Sequence, residues 1–227
     1  FSSVEKHDDK FSNTIYSILA SKTNPIIWYS NRQGLFELNY KTRKSTRYQY
    51  NEWNKKDGNI NKIFQYDKNT LLLVVSLGVI YKFDIHTKKM EVVHFRSEKD
   101  IKRNNNIITV VKDSKSNIWV ASYEGLYKYN LNTHESAAYH PSSTNKNSIM
   151  GDVIMSLAID KKDILWMSMM NYGLSKLDIN TNTITNYYKD NPDFKPTSVI
   201  IYLFIDKSGI LWLGTNGYGI NKLNPYI

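Results

Sequence analysis

Tryptophan recurs along this chain at a nearly constant interval. Trp28, Trp119, Trp166 and Trp212 anchor four copies of one pattern, and Leu73 holds the corresponding place in a degenerate second copy. The intervals between the five anchors are 45, 46, 47 and 46 residues. Six residues before the anchor stands Asp67, Asp113, Asp160 or Asp206, with Lys22 in the first copy. Six or seven residues after it comes Gly34, Gly125, Gly173 or Gly219; in the second copy Gly78 falls one place early and Val79 breaks the pattern. A period of roughly 20–50 residues means that each copy is one supersecondary unit, which buries its apolar face only against its neighbours.

Each copy divides into four strand-like runs. The first is short and apolar: Ile15 to Leu19, Ile60 to Phe64, Ile107 to Val111, Val153 to Ile159 and Val199 to Ile205. The second carries the anchor: Ile26 to Ser30, Leu71 to Val75, Ile118 to Ser122, Leu165 to Ser168 and Leu211 to Thr215. The third alternates: Leu35 to Leu38, Ile80 to Phe83, Leu126 to Tyr129, Leu174 to Leu177 and Ile220 to Leu223. The fourth is more polar: Ser45 to Tyr50, Met90 to Phe95, Ser136 to Tyr139 and Ile184 to Tyr188. Apolarity falls from first run to fourth, which predicts an innermost first strand and a solvated fourth.

The third and fourth runs are joined by Asn39-x-x-Thr42, Asp84-x-x-Thr87, Asn130-x-x-Thr133 and Asp178-x-x-Thr181. An Asp or Asn side chain there caps the turn backbone, and two-residue links of this kind predict antiparallel hairpins. Four antiparallel strands repeated at this period predict an all-β fold, a β-propeller of about five four-stranded blades. Helical repeats would show a 3.6-residue period, and parallel β-helices have shorter coils. The repeats cover about 12–50, 58–95, 104–140, 150–188 and 197–227, in one propeller region over 1–227. The last copy stops at Ile227 where its fourth strand is due. Phe1 to Val4 resembles that strand, since Phe1 and Val4 match the spacing of Met90 and Val93. Two arrangements stay open: a closed five-blade ring, or an arc of a larger propeller. The start at Phe1 reads as a piece of something longer.

Composition narrows the partners. A formal net charge of +9 attracts anions, but the basic residues are scattered, whereas nucleic-acid surfaces cluster theirs. No nucleic acid is expected. Cysteine is absent, so there is neither a disulfide nor a thiolate metal site. No apolar run approaches the ~18 residues of a membrane helix, and no membrane contact by this segment is expected.

Catalytic motifs are missing. His7, His86, His94, His134 and His140 fall at unrelated repeat positions, and His86 and His134 lie in or beside hairpin turns. No metalloprotease, nucleophile-elbow or phosphate-loop spacing occurs. Asp113, Asp160 and Asp206 recur as metal ligands might, but calcium needs about six to eight oxygens and these loops are rich in lysine. They read as turn caps. The Trp anchors sit in apolar strands and read as blade packing rather than sugar platforms. No enzyme, metal or cofactor is expected.

The pattern D-x-x-x-x-L-W-x-G-T-x-x-G-G-L/I-x-x-L-N/D, with an aromatic-rich strand after it, resembles the two-component regulator propeller repeat. The likeness spans nearly the whole chain. It is closest at Asp206 to Asn224 and Asp160 to Asp178, fair at Asp113 to Thr133, and weak in the second copy. Family propellers usually have seven blades. The resemblance implies an extracytoplasmic, periplasmic sensor region of a hybrid two-component histidine kinase, and a carbohydrate breakdown product as its signal.

Antiparallel strands alternate ends, so the link from strand two to three shares a face with the link from strand four to the next blade. The first class of link offers Arg32, Gln33, Tyr123, Glu124, Asn171, Tyr172, Asn216 and Tyr218 as ligand-binding candidates. The second offers Trp53, Arg103 and Asn105, with the long Pro141 to Gly151 loop. Rings cover sugar C–H faces, and amides bond hydroxyls. The leading expectation is therefore a module that senses an oligosaccharide, an acidic one if the net charge steers it. Its other partners would be neighbouring domains of a parent sensor and a second copy in a homodimer. The alternative is a protein-contact or dimerisation scaffold, and a propeller lyase or hydrolase comes third.

Overall fold

The computed structural model describes residues 14–48, 58–76, 78–96, 106–187 and 199–225. The expected closing strand, Phe1 to Val4, lies outside them. Two compact units divide the chain, Phe1–His94 and Phe95–Ile227. The first unit holds two sheets: β1 (Ser17–Ala20), β2 (Ile26–Asn31), β3 (Gly34–Asn39) and β4 (Lys44–Tyr48), then β5 (Ile60–Gln65), β6 (Thr70–Val75), β7 (Val79–Asp84) and β8 (Met90–Val92). The second unit holds three. They are β9 (Ile107–Lys112), β10 (Asn117–Ser122), β11 (Gly125–Asn130) and β12 (Ser136–Tyr139); β13 (Ile154–Ile159), β14 (Ile164–Met169), β15 (Gly173–Asp178) and β16 (Thr183–Tyr187); and β17 (Ile200–Ile205), β18 (Leu211–Thr215) and β19 (Ile220–Leu223). Every sheet is antiparallel and runs in chain order. No helix occurs among the described residues. These are β-propeller blades.

Strand pairing corrects the second repeat by one residue. Trp166 pairs with Ala158 and Lys176, and the residue so placed in the second sheet is Leu72, between Phe64 and Lys82. The anchor is therefore Leu72, not Leu73. Gly78 then stands six residues after it, as in the first and third copies. In an all-aliphatic run such as Leu71-Leu72-Leu73, only pairing sets the register.

The Asp and Asn caps form as expected, but around longer links. Asn39, Asp84, Asn130 and Asp178 each accept two backbone N–H groups through Oδ1, at 2.7–3.3 Å. The links hold four or five residues rather than two. Each holds a left-handed non-glycine residue as its last or second-last residue: Arg43 (φ 58°), Lys88 (φ 60°), His134 (φ 61°) or Asn182 (φ 54°). A longer loop built on an ordinary turn needs that reversal to rejoin the ladder.

Burial does not fall steadily from first strand to fourth. It peaks at the second: every residue of β6 and β10 is buried, while β4 and β12 are mostly exposed. The second strand is flanked by two strands of its own sheet and also carries the anchor.

The recurrent Asp is a structural cap. Asp113 Oδ1 accepts Asn117 N at 2.8 Å, and Oδ2 accepts Asn117 Nδ2 at 2.7 Å and Trp119 Nε1 at 2.9 Å. Asp206 accepts Ile210 N at 3.1 Å and Trp212 Nε1 at 2.7 Å. Above the rings lie ammonium groups: Lys128 at 5.9 Å from Trp119 and Lys176 at 5.8 Å from Trp166. In the first sheet Glu37 takes the lysine position. There Lys88 crosses from the β7–β8 link to lie 5.4 Å over Trp28, paired with Glu37 at 3.0 Å.

Candidate functional site

One backbone hydrogen bond recurs at the same end of four sheets. Ser76 N donates to Asn59 O at 3.0 Å, Tyr123 N to Asn106 O at 3.2 Å, Met170 N to Val153 O at 2.9 Å and Asn216 N to Val199 O at 2.9 Å. Each donor opens the link between strands two and three. Each acceptor closes the connection into strand one. The two classes of link therefore lie side by side. At this same end the first strand of each of these sheets carries a bulge, at Asn61, Ile108, Met155 and Ile201. Bulges re-aim neighbouring side chains, and the sequence pattern contained no sign of them.

In the first unit the β2–β3 link is Arg32-Gln33. Asn31 Oδ1 accepts Gln33 N–H at 2.7 Å, and Arg47 Nε donates to the Gln33 carbonyl at 3.0 Å. Arg32 is exposed. Trp53 lies outside the described residues, as do Arg103 and Asn105 of the second unit.

In the second unit the 140–153 connection gathers the links of two sheets. Gly125 N donates to Asp152 O at 2.7 Å, tying the β10–β11 link to it. A Cβ on Gly125 would stand 2.6 Å from the Tyr139 carbonyl and 3.0 Å from His140 Nδ1, and its φ is +116°. Only glycine fits there. A Cβ on Gly151 would stand 2.5 Å from Tyr172 Cδ2, so the Tyr172 ring, from the β14–β15 link, lies directly on the Gly151 backbone. Gly125, at the end of the link that carries Tyr123 and Glu124, and Tyr172 thus meet one loop. Tyr123 and Tyr172 stay exposed. Asn171 turns its link in the left-handed region at φ 66°, which asparagine tolerates.

Glu124 supplies the unusual electrostatic feature. Its backbone N–H goes to Ser122 Oγ at 3.0 Å, but its Oε2 is enclosed without a hydrogen-bond partner among the described residues. An enclosed carboxylate oxygen with no donor costs free energy that an incoming N–H or O–H recovers. Away from it, in β12, burial holds the Tyr139 hydroxyl above the ordinary tyrosine range; this hydroxyl donates to Asn182 Oδ1 at 2.9 Å, in the β15–β16 link.

Asn216 and Tyr218 occupy the β18–β19 corner with Gly217 (φ 92°) and Gly219 (φ 73°). Both side chains are exposed, and no hydrogen bond or ring contact among the described residues joins this corner to Tyr172 or Glu124. Three residues went unmarked as site candidates. Phe95 packs edge-on against Tyr127 at 5.6 Å, the Arg96 guanidinium lies 4.9 Å from the Phe95 ring and 5.8 Å from that of Tyr127, and His140 meets Tyr127 at 5.8 Å. They sit past the last strand residues of their sheets, Val92 and Tyr139, where spacing carries no register. No cluster of three or more His, Asp or Glu side chains placed to hold a metal occurs among the described residues.

Consecutive antiparallel blades, with capped Asp–Trp turns, define a propeller-repeat protein. Residues 194–217 match the two component regulator propeller family, and the chain carries that family's repeat. Among solved structures it is similar to the extracellular domains of two hybrid two component systems from B. thetaiotaomicron. One is 19% identical, with a TM-score of 0.73 over 96% of this chain and 28% of that one. The other is 18% identical, with a TM-score of 0.57 over 96% and 35%. It is similar as well to PorZ, a surface component of the type-IX secretion system of Porphyromonas gingivalis, at 19% identity and a TM-score of 0.67 over 91% and 32%. The chain spans about a third of the length of the two extracellular domains and PorZ. No curated protein matches its sequence. No helix among the described residues is long and apolar enough to cross a membrane.

Proposed function

We propose that this chain is a ligand-sensing module from the periplasmic part of a hybrid two-component signalling protein, whose kinase and regulator domains lie elsewhere in a longer chain. The observation that carries this reading is the two component regulator propeller repeat at residues 194–217, in a fold shared with extracellular domains of such systems. The module is non-catalytic, and its ligand is an oligosaccharide held at the link end of the blades. Exposed rings at Tyr123 and Tyr172 suit sugar C–H faces. The unpartnered Glu124 Oε2 suits a sugar hydroxyl as donor, which favours neutral residues at that point and leaves the scattered lysines to steer any acidic ones. Binding acts by stabilising one arrangement of module, neighbouring domain and partner protomer over another.

A thermal-shift screen against neutral and acidic oligosaccharides, at low and moderate salt, tests this reading. A shift that saturates with one sugar class is expected. Tyr172→Ala should then weaken binding by about tenfold, the loss of one stacked ring. Glu124→Gln should weaken it while raising the melt of the free chain, because the enclosed charge is gone. A cooperative melt that no sugar moves overturns oligosaccharide sensing by this module.

A further inference from the structure

The β18–β19 corner runs Thr215-Asn216-Gly217-Tyr218-Gly219, and Asn216–Gly217 is the single Asn-Gly step in the chain. An asparagine followed by glycine can react with itself. The nitrogen of the next residue attacks the side-chain carbonyl carbon, and glycine puts no side chain in the way. Three things hold that reaction back in a folded chain: a buried side chain, an amide tied into hydrogen bonds, and a following N–H engaged elsewhere. None applies here. Asn216 and Gly217 are both exposed. Among the described residues, neither the Asn216 side chain nor the Gly217 N–H makes a hydrogen bond. Gly217 has a left-handed φ of 92°, and a Cβ built on it would meet nothing within 4 Å.

Other asparagines are held in place. Asn147 precedes Ser148, the smallest following side chain after glycine. Its Oδ1 accepts Ile184 N–H at 2.7 Å and its Nδ2 donates to the Asn182 carbonyl at 2.9 Å. Asn117 is buried, and its Nδ2 donates to Asp113 at 2.7 Å. Asn180 accepts Lys115 Nζ at 3.2 Å and donates to the Lys162 carbonyl at 3.3 Å. The openness of Asn216 belongs to its place in the blade. Its equivalent in the third sheet is Tyr123, four residues after Trp119. Tyr123 is 39% exposed, although the connection that follows its sheet packs beside the same corner, with Gly125 N–H on Asp152 O at 2.7 Å.

We propose that Asn216 is a self-modification site, which the chain converts to aspartate and isoaspartate with no enzyme or cofactor. Gly217 N bonds to Asn216 Cγ, the Cγ–Nδ2 bond breaks, and ammonia leaves with the Gly217 amide proton. The product is a five-membered succinimide, which one water opens. Attack at Cγ breaks the new N–Cγ bond and restores an ordinary backbone with an aspartate side chain. Attack at the backbone carbonyl carbon breaks the original peptide bond. It frees the α-carboxylate and leaves the main chain running through Cβ and Cγ. Either product adds one negative charge at the link end of the sheet. The isoaspartate also lengthens by one methylene a corner that Thr215 closes onto the Gly219 carbonyl, from N at 3.0 Å and from Oγ1 at 2.8 Å. The corner that presents Tyr218 therefore changes in shape as well as charge. Toward an acidic ligand at this end the added charge is repulsive; that consequence rests on the sensing reading, and the chemistry itself does not.

Incubating the chain at mildly alkaline pH, which favours loss of the Gly217 amide proton, and mapping it with trypsin reads the reaction directly. The peptide Ser208–Lys222 should gain the mass of an amide-to-acid conversion, located at Asn216 by fragmentation. It should split into two chromatographic peaks, and isoaspartyl methyltransferase should label one of them. The free peptide of the same sequence serves as the clock. The folded chain should convert at a rate within about tenfold of the peptide, a barrier difference of about 1.4 kcal/mol, while Asn147 in the same sample stays an amide. Asn216→Gln, which needs a six-membered ring, should stay unconverted over that time. Conversion slower than this overturns the proposal. So does earlier conversion of any other asparagine, or an acid shift of equal size in the Asn216→Gln chain.

Discussion

Asp113 shows how much one repeat residue settles. It is buried, and its carboxylate holds the Asn117 backbone and side chain and the Trp119 indole at once. Asp113→Ala leaves those buried donors without acceptors and should cost about 3 kcal/mol, read as a lower urea midpoint with an unchanged slope. Asp206 makes the same indole bond at an exposed site. Bonds from the Ser208 hydroxyl and then from the Trp212 indole bring its carboxyl down from the ordinary 3.8 to about 2. A depressed folded value contributes stability that is complete above about pH 3.8 and is lost as pH falls toward 2. Asp206→Asn should therefore flatten the decline in melting temperature across that window and leave the slope above pH 5 unchanged. The sequence showed the Asp–Trp spacing plainly. It could not show that Trp166 would differ, its Nε1 buried with no hydrogen-bond partner among the described residues although Asp160 stands at the usual distance along the chain.

At the scale of the element, the outer strand of a blade has an open edge, a hazard for pairing with other chains. The fourth sheet covers it with the 140–153 loop. Asn147 Oδ1 accepts Ile184 N at 2.7 Å while its Nδ2 donates to the Asn182 carbonyl at 2.9 Å, so one side-chain amide stands in for a strand residue beside β16. Asn186 Nδ2 donates back to Ser148 O at 3.0 Å. Asn147→Ala should destabilise the chain by about 1–2 kcal/mol and speed amide exchange at Ile184 relative to the rest of β16. Asn147→Asp, which keeps the acceptor alone, should fall between. The strands and the Asp and Asn turn caps were legible because alternation and turn chemistry act within a few residues. Loop length, the left-handed residues that close the loops and the first-strand bulges were not. Arg43 and Lys88 carry no local preference for a left-handed backbone, and adopt it because the ladder on either side demands it.

For the whole molecule, the repeat period together with four strand-like runs per copy dictated an all-β array, since a unit of one blade's length has no face to bury except against a copy of itself. It also placed the Trp anchors in blade packing, as Trp28, Trp119 and Trp166 are. The proposed sensing site was half legible. Strand alternation put Tyr123, Glu124 and Tyr172 at one end, but only the folded chain shows Tyr172 lying on Gly151 and the Glu124 oxygen without a donor. What the sequence by itself determined was whatever depends on local periodicity: strand type, strand order within a blade, the capped turns and the family of the repeat. What only the tertiary structure decided was whatever depends on which faces meet. Trp212 holds the same repeat position as Trp166, yet one lies open and the other is buried, because burial belongs to the neighbour as much as to the residue.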